Sequence, residues 1–149
     1  MHHGEYRLSH VEWLRSKLQG VLPVSDVRLS KVTLESAPGP KEPPADADYE
    51  FFAPLDGEGH IDLAAWKRAR ALCFVHRRQK NGAVQHGLLV HRAGGTGGGT
   101  WVFDYEPGQG DEETGFRFET HQFVTGAYVA IRNADGEAQT FRVAQVRQA

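Results

Sequence analysis

Apolar and polar residues alternate with a period of two along most of the second half of the chain. ALCFVHRRQ (71–79), AVQHGLLVHR (83–92), TWVFDYE (100–106), GFRFETHQF (115–123), AYVAIRN (127–133) and AQTFRVAQVR (138–147) each carry this strand pattern. Asn81-Gly82 separates the first two, and that pair suits the left-handed angles of a two-residue hairpin turn. Such a turn pairs Lys80 with Ala83, and hence Val75 with Leu88 and Leu72 with His91. The last two segments are joined by Ala134-Asp-Gly136, a second turn with a chemical reason. Strand signals this closely spaced predict an antiparallel meander, either a curved sheet or a small barrel of about six strands.

The first half is more varied. In LSHVEWLRSKLQG (Leu8 to Gly20), Ser9 and Glu12 have capping-box spacing, Gly20 suits a left-handed C-cap, and Val11, Leu14 and Leu18 form one apolar stripe. A helix that covers its own domain is expected there. VRLSKVTLE (27–35) reads as a strand with Val27 and Leu29 out of phase with Val32 and Leu34, which a bulge near Ser30 and Lys31 would correct. Residues 36–48 hold four prolines and form an exposed loop or linker with polyproline character. Asp62 is placed to cap a short helix over LAAWKRARA. The expected fold class is therefore α+β, mainly β: a single domain over 1–149 in which an N-terminal helix and one short helix pack on the meander.

Composition narrows the functional classes. Hydrophobic residues make up 40% and charged residues 24%, as in an ordinary globular domain, and the net charge of −2 exerts no global attraction on nucleic acid or a membrane. The single cysteine, Cys73, cannot form an internal disulfide. A reducing, cytoplasmic setting without membrane association is the expectation.

Several motifs suggest chemistry and then fail on spacing. LDGEGHIDLAAW (55–66) resembles part of a calcium loop, but with Gly59 at the sixth position the first and twelfth ligands become Pro54 and Ala65. A turn running into a helix accounts for it. RAGGTGGGT (92–100) lacks the Lys and the following helix of a phosphate loop and reads as a mobile hairpin connection. On the hairpin register above, His76 lies opposite Gly87 and about 13 Å along the strand from His91, too far to share a zinc ion, while His86 points to the other face. Cys73, between Leu72 and Phe74, reads as a buried, inert thiol. Neither a metal nor a cofactor is implied, and the chain reads as non-enzymatic.

Charge is distributed unevenly. Between Leu63 and Phe103 there is no carboxylate, whereas Lys67, Arg68, Arg70, Arg77, Arg78, Lys80 and Arg92 supply seven cations, followed by an acidic run from Asp104 to Glu119. The binding candidates are accordingly Trp66, Lys67, Arg68, Arg70, His76, Arg77, His91, Arg92, Trp101 and Asp104. The preferred reading is a non-catalytic binding or assembly module for a protein or small ligand, with the acidic run neutralising the basic one. The alternative is a nucleic-acid-associated domain using 67–92, where Trp66, Phe74 and Trp101 stack on bases. The end of the chain, from Gly126-Ala-Tyr-Val-Ala-Ile to Thr140-Phe-Arg-Val, resembles the closing hairpin of WYL-type regulator domains, without the Trp-Tyr-Leu triplet. A small hydrolase or metal enzyme using His76, His91, Asp104 or Glu106 is the third reading.

Overall fold

A computed structural model describes residues 12–13, 26–94 and 99–149. Eight strands succeed one another: β1 (Ser30–Ser36), β2 (Ala47–Ala53), β3 (Phe74–Gln79), β4 (Val84–Arg92), β5 (Thr100–Tyr105), β6 (Glu113–Phe116), β7 (Tyr128–Arg132) and β8 (Ala138–Gln148). Each is antiparallel to the next, and β8 returns to β1, so the sheet closes into a barrel. Between β2 and β3 lie helix α1 (Leu63–Ala69) and a 3₁₀ turn (Arg70–Leu72). Asp62 caps α1 by accepting from the Ala65 amide at 3.0 Å, as the sequence predicts.

The barrel has eight strands rather than about six. One addition is β1, whose alternation is legible but which stands apart from the later run. The other is β2, hidden because it comes directly after the prolines. Together they supply the partners without which β3 and β8 would be left as open edges. The predicted helix over Leu8–Gly20 lies outside the described residues apart from Glu12 and Trp13, so α1 is the one helix whose extent is defined. Among the described residues no helix is long and apolar enough to cross a membrane.

Alternation sorts the side chains. Val32 and Leu34 of β1, Tyr49, Phe51 and Ala53 of β2, Val75 of β3, Leu89 of β4, Trp101, Phe103 and Tyr105 of β5, Val129 and Ile131 of β7, and Phe141 and Val143 of β8 point inward and are buried. A barrel of eight strands has an interior only wide enough for side chains or one small ligand. Here the side chains take it. The Phe51 ring lies 5.6 Å from Phe103, 6.1 Å from Phe118 and 5.4 Å from Phe123, while Tyr49 lies 5.1 Å from Phe141.

Three local expectations are corrected. The 79–83 turn has three residues, not two: Gly82 donates to Gln79 O, and Gly82 itself takes φ +93°, the left-handed residue that closes a three-residue loop with a bulge. The register therefore shifts by one, pairing Val75 with Gly87 and His76 with His86. A one-residue slip exchanges faces, so His76 and His86 share the outer surface with rings 5.1 Å apart, and His91 faces the inner side. No bulge is found near Ser30: β1 runs regularly against β2 with Val32 and Leu34 inward, Val27 and Leu29 precede the strand, and the one register shift, between Thr33 and Leu34 in the pairing with β8, comes from the extra residue Ala144 of β8. Finally, β6 ends at Phe116 instead of running on to Phe123. Arg117 takes φ +54°, and the turn returns Phe118 to the core.

That return is possible because β6 carries glycine at its inward position 115. A Cβ there would come within 2.4 Å of the Phe118 ring. Gly115→Ala is expected to lower stability by about 1–3 kcal/mol through overpacking, measured as a shift of the urea midpoint. An unchanged midpoint would show that Phe118 is free to move.

Candidate functional site

The barrel has two differently built ends. The connections after β2, β4 and β6 leave the strands at the end that carries α1, and those after β1, β3, β5 and β7 at the other, here termed the mouth.

At the covered end, α1 and the 3₁₀ turn pack against β4. The Trp66 indole is buried beneath the helix, donates from Nε1 to Leu89 O at 3.0 Å, and meets Trp101 edge-on with centroids 5.3 Å apart. His91 sits 4.8 Å from Trp101 and 6.2 Å from Trp66. A cavity of about 190 Å³ opens beside this trio. Trp66 and Leu88 to Val90 give it apolar walls, and Arg70, His91, Arg92 and Asp104 converge on it. Five of the ten candidates, Trp66, Arg70, His91, Arg92 and Asp104, therefore line one cavity, with Trp101 directly behind. The Arg70 guanidinium lies 6.0 Å from the centre of the Trp66 ring and has no carboxylate partner among the described residues.

The other candidates lie elsewhere. Lys67 is on the exposed side of α1, as is Arg68, which meets Asp26 at 3.2 Å. His76 is on the outer wall. Its Nδ1 lies 3.2 Å from a Glu50 oxygen, which Arg78 also approaches to 2.8 Å, while Lys31 reaches the second oxygen at 3.0 Å. Burial raises the Glu50 carboxyl, but Arg78, Lys31 and His76 together outweigh it and hold the group at about 2. Arg77 points into the mouth.

At the mouth lies a polar network that the strand pattern does not reveal. Glu113 is buried, with 8% exposure. It accepts from the Tyr49 hydroxyl at 2.9 and 3.0 Å and from the Tyr105 hydroxyl at 2.7 Å. Arg77 donates from Nε to the Tyr49 oxygen at 3.2 Å and stands 3.7 Å from Glu113 and 3.4 Å from Asp46. Burial, and then the Glu113 charge, push both phenols well above the usual tyrosine range, so their hydroxyls stay protonated and act as donors. Around this floor Gln85, Gly110, Asp111, Asn133 and Asp135 enclose a cavity of about 180 Å³. One signal was available in the sequence: Glu113 lies two residues before Gly115, which places a carboxylate at an inward position. Starting the strand at Gly115 concealed it.

The acidic loop also reaches back over the basic segment. Arg92 is ion-paired with Glu112, so Arg68, Arg77, Arg78 and Arg92 all have carboxylate partners within the chain. Cys73 is fully buried and its Sγ lies 3.5 Å from Ala69 O; burial pushes the thiol up to about 12, far from a reactive thiolate. In the turn of 55–66, Asp56, Glu58 and His60 bring their donor atoms within 4.8 Å of one another. The Asp56 carboxylate there accepts from the amides of Glu58 and His60, each at 2.9 Å, which is the role of a turn-forming residue.

The chain matches no protein-family model, no curated protein and no solved structure. The likeness of its last hairpin to WYL-type domains thus gains no support.

Two outcomes are expected from the buried charges. Glu113→Ala would leave two buried phenols without their acceptor and take the buried countercharge from Arg77, and is expected to cost about 3–5 kcal/mol in denaturant unfolding; a loss below about 1 kcal/mol would mean that water replaces the carboxylate freely. For Glu50 the folded value lies below the ordinary carboxylate value. Its contribution, of order 3 kcal/mol at most, is therefore complete above about pH 4.5 and lost as pH falls through about 2. The stability gap between the wild type and Glu50→Gln should accordingly close between pH 6 and pH 2. A gap independent of pH would contradict the charge assignment.

Proposed function

We propose that this barrel is a non-catalytic binding module for a small, flat, anionic ligand held in the cavity beside Trp66. The observation that carries this reading is the convergence of the Arg70 guanidinium, which has no carboxylate partner among the described residues, with the indole of Trp66 and the apolar walls of Leu88 and Val90. A guanidinium lying along an indole keeps its edge free, and that edge matches a carboxylate in two parallel hydrogen bonds. The aromatic wall suits a planar body.

Size sets the scale of the ligand. The cavity is smaller than the roughly 300–1,000 Å³ that drug-sized molecules occupy, so an aromatic acid of one or two rings is the natural occupant. The filled interior supports a site at the barrel's end rather than a central pocket. Intramolecular pairing of four of the seven cations in 67–92 favours a small anion over a polyanion at this segment. The outer wall carries Lys31, Glu50, His76, Arg78, Arg132 and Arg142, the inverse of the apolar band of a membrane barrel, which supports a water-facing molecule. With one buried thiol, the cytoplasm is the setting we assign it.

Benzoate and indole-3-carboxylate are the probes. Binding should quench tryptophan emission, and Arg70→Ala should weaken it about tenfold to a hundredfold, while Arg68→Ala, outside the cavity, should leave it unchanged. Equal titration curves for Arg70→Ala and the wild type, or no emission change with either acid at about 10 mM, a concentration that detects even very weak binding, would reject the proposal.

A further inference from the structure

The outer face of β6, β7 and β8 carries an aromatic and cationic patch that lies apart from the cavity beside Trp66. Phe116 of β6 pairs with Ala130 of β7. Tyr128 and Arg132 lie two residues to either side of Ala130 on the same face, at the diagonal spacing of about 7–8 Å from Phe116. Arg142 of β8 stands directly opposite Tyr128. Two guanidiniums lie over the Phe116 ring, Arg117 at 5.1 Å and Arg132 at 5.0 Å. Neither has a carboxylate within ion-pair distance among the described residues, whereas Arg142 lies 3.6 Å from Glu35. Tyr128 is 61% exposed, the most exposed large apolar side chain among those described.

Most other arginines in the barrel are neutralised within the chain, so two unpaired ones above a single phenyl ring are conspicuous. Guanidinium planes and phenol rings both stack on nucleobases, and the same guanidiniums pair with phosphates. We infer that this face binds single-stranded nucleic acid, with Tyr128 and the Phe116–arginine stack as two base platforms and Arg117, Arg132 and Arg142 tracking the backbone. An acidic peptide would satisfy the cations but leave the exposed ring of Tyr128 unused, and a duplex would keep its bases from both platforms.

The test is fluorescence anisotropy of a labelled twelve-nucleotide single strand against the whole chain. Binding is expected at low salt, and three phosphate contacts predict a slope of log K against log salt of about −2. Tyr128→Ala should weaken binding about tenfold, and the pair Arg117→Gly with Arg132→Gln should abolish it; glycine suits the positive φ at 117, and an unchanged melting temperature would show that the fold survives. Arg70→Ala should leave strand binding intact, which separates this face from the small-ligand site. The inference is overturned if anisotropy stays flat at low salt or if the double variant binds like the wild type. Equal binding of a duplex, or equal competition by poly-glutamate, would overturn it as well, showing unselective attraction of anions.

Discussion

The filled interior of the barrel is the constraint on which the rest of the structure depends. Eight strands enclose a space that fits one layer of side chains from each wall, and Tyr49, Phe51, Phe103 and Phe141 with the returning Phe118 and Phe123 occupy it. Aromatic rings meeting edge to face at 5 to 6 Å pack this layer. The packing ends beneath α1, at the mouth and on the outer wall. Each of these places carries a different chemistry.

Polar groups at the two ends are handled in opposite ways. At the mouth, the Glu113 carboxylate is tied to Tyr49, Tyr105 and Arg77, so groups from β2, β3, β5 and β6 satisfy one another and the end is sealed by a closed network. Under α1 the arrangement is left open on one side. Trp66 has a partner for its N–H, but the Arg70 guanidinium has none among the described residues. A satisfied network stabilises the barrel; an unsatisfied cation beside an aromatic wall is available to a ligand. The same distinction separates the outer cluster around Glu50, where Lys31, Arg78 and His76 share one carboxylate, from the Phe116 face, where two cations share a ring.

Much of the fold was legible because burial imposes a period of two on every strand of a closed barrel. The alternation in TWVFDYE, AYVAIRN and AQTFRVAQVR is that period. The short helix was legible from the capping residue Asp62 and the good helix formers of LAAWKRARA. The β2 strand, ADYEFFA, obeys the same rule but comes after a proline-rich stretch, so its alternation had nothing beside it to confirm it. The hairpin register was lost by one residue because Asn81-Gly82 serves equally as the centre of a two-residue turn or the end of a three-residue one. That single step moved His86 and His91 to the wrong faces.

Local sequence determined most of the elements, their antiparallel succession, the inert character of Cys73, and the lack of end ligands for a calcium loop at Pro54 and Ala65, because each depends on residues a few positions apart. It also marked Trp66, Arg70, His91, Arg92, Trp101 and Asp104 individually as residues able to bind. Their convergence on one cavity, the separation of Arg77 and His76 from it, the burial of Glu113 between two phenols, and the meeting of β1 with β8 were decided by the tertiary structure alone. Barrel closure joins segments more than a hundred residues apart, and no local periodicity records which strand end will lie beside which.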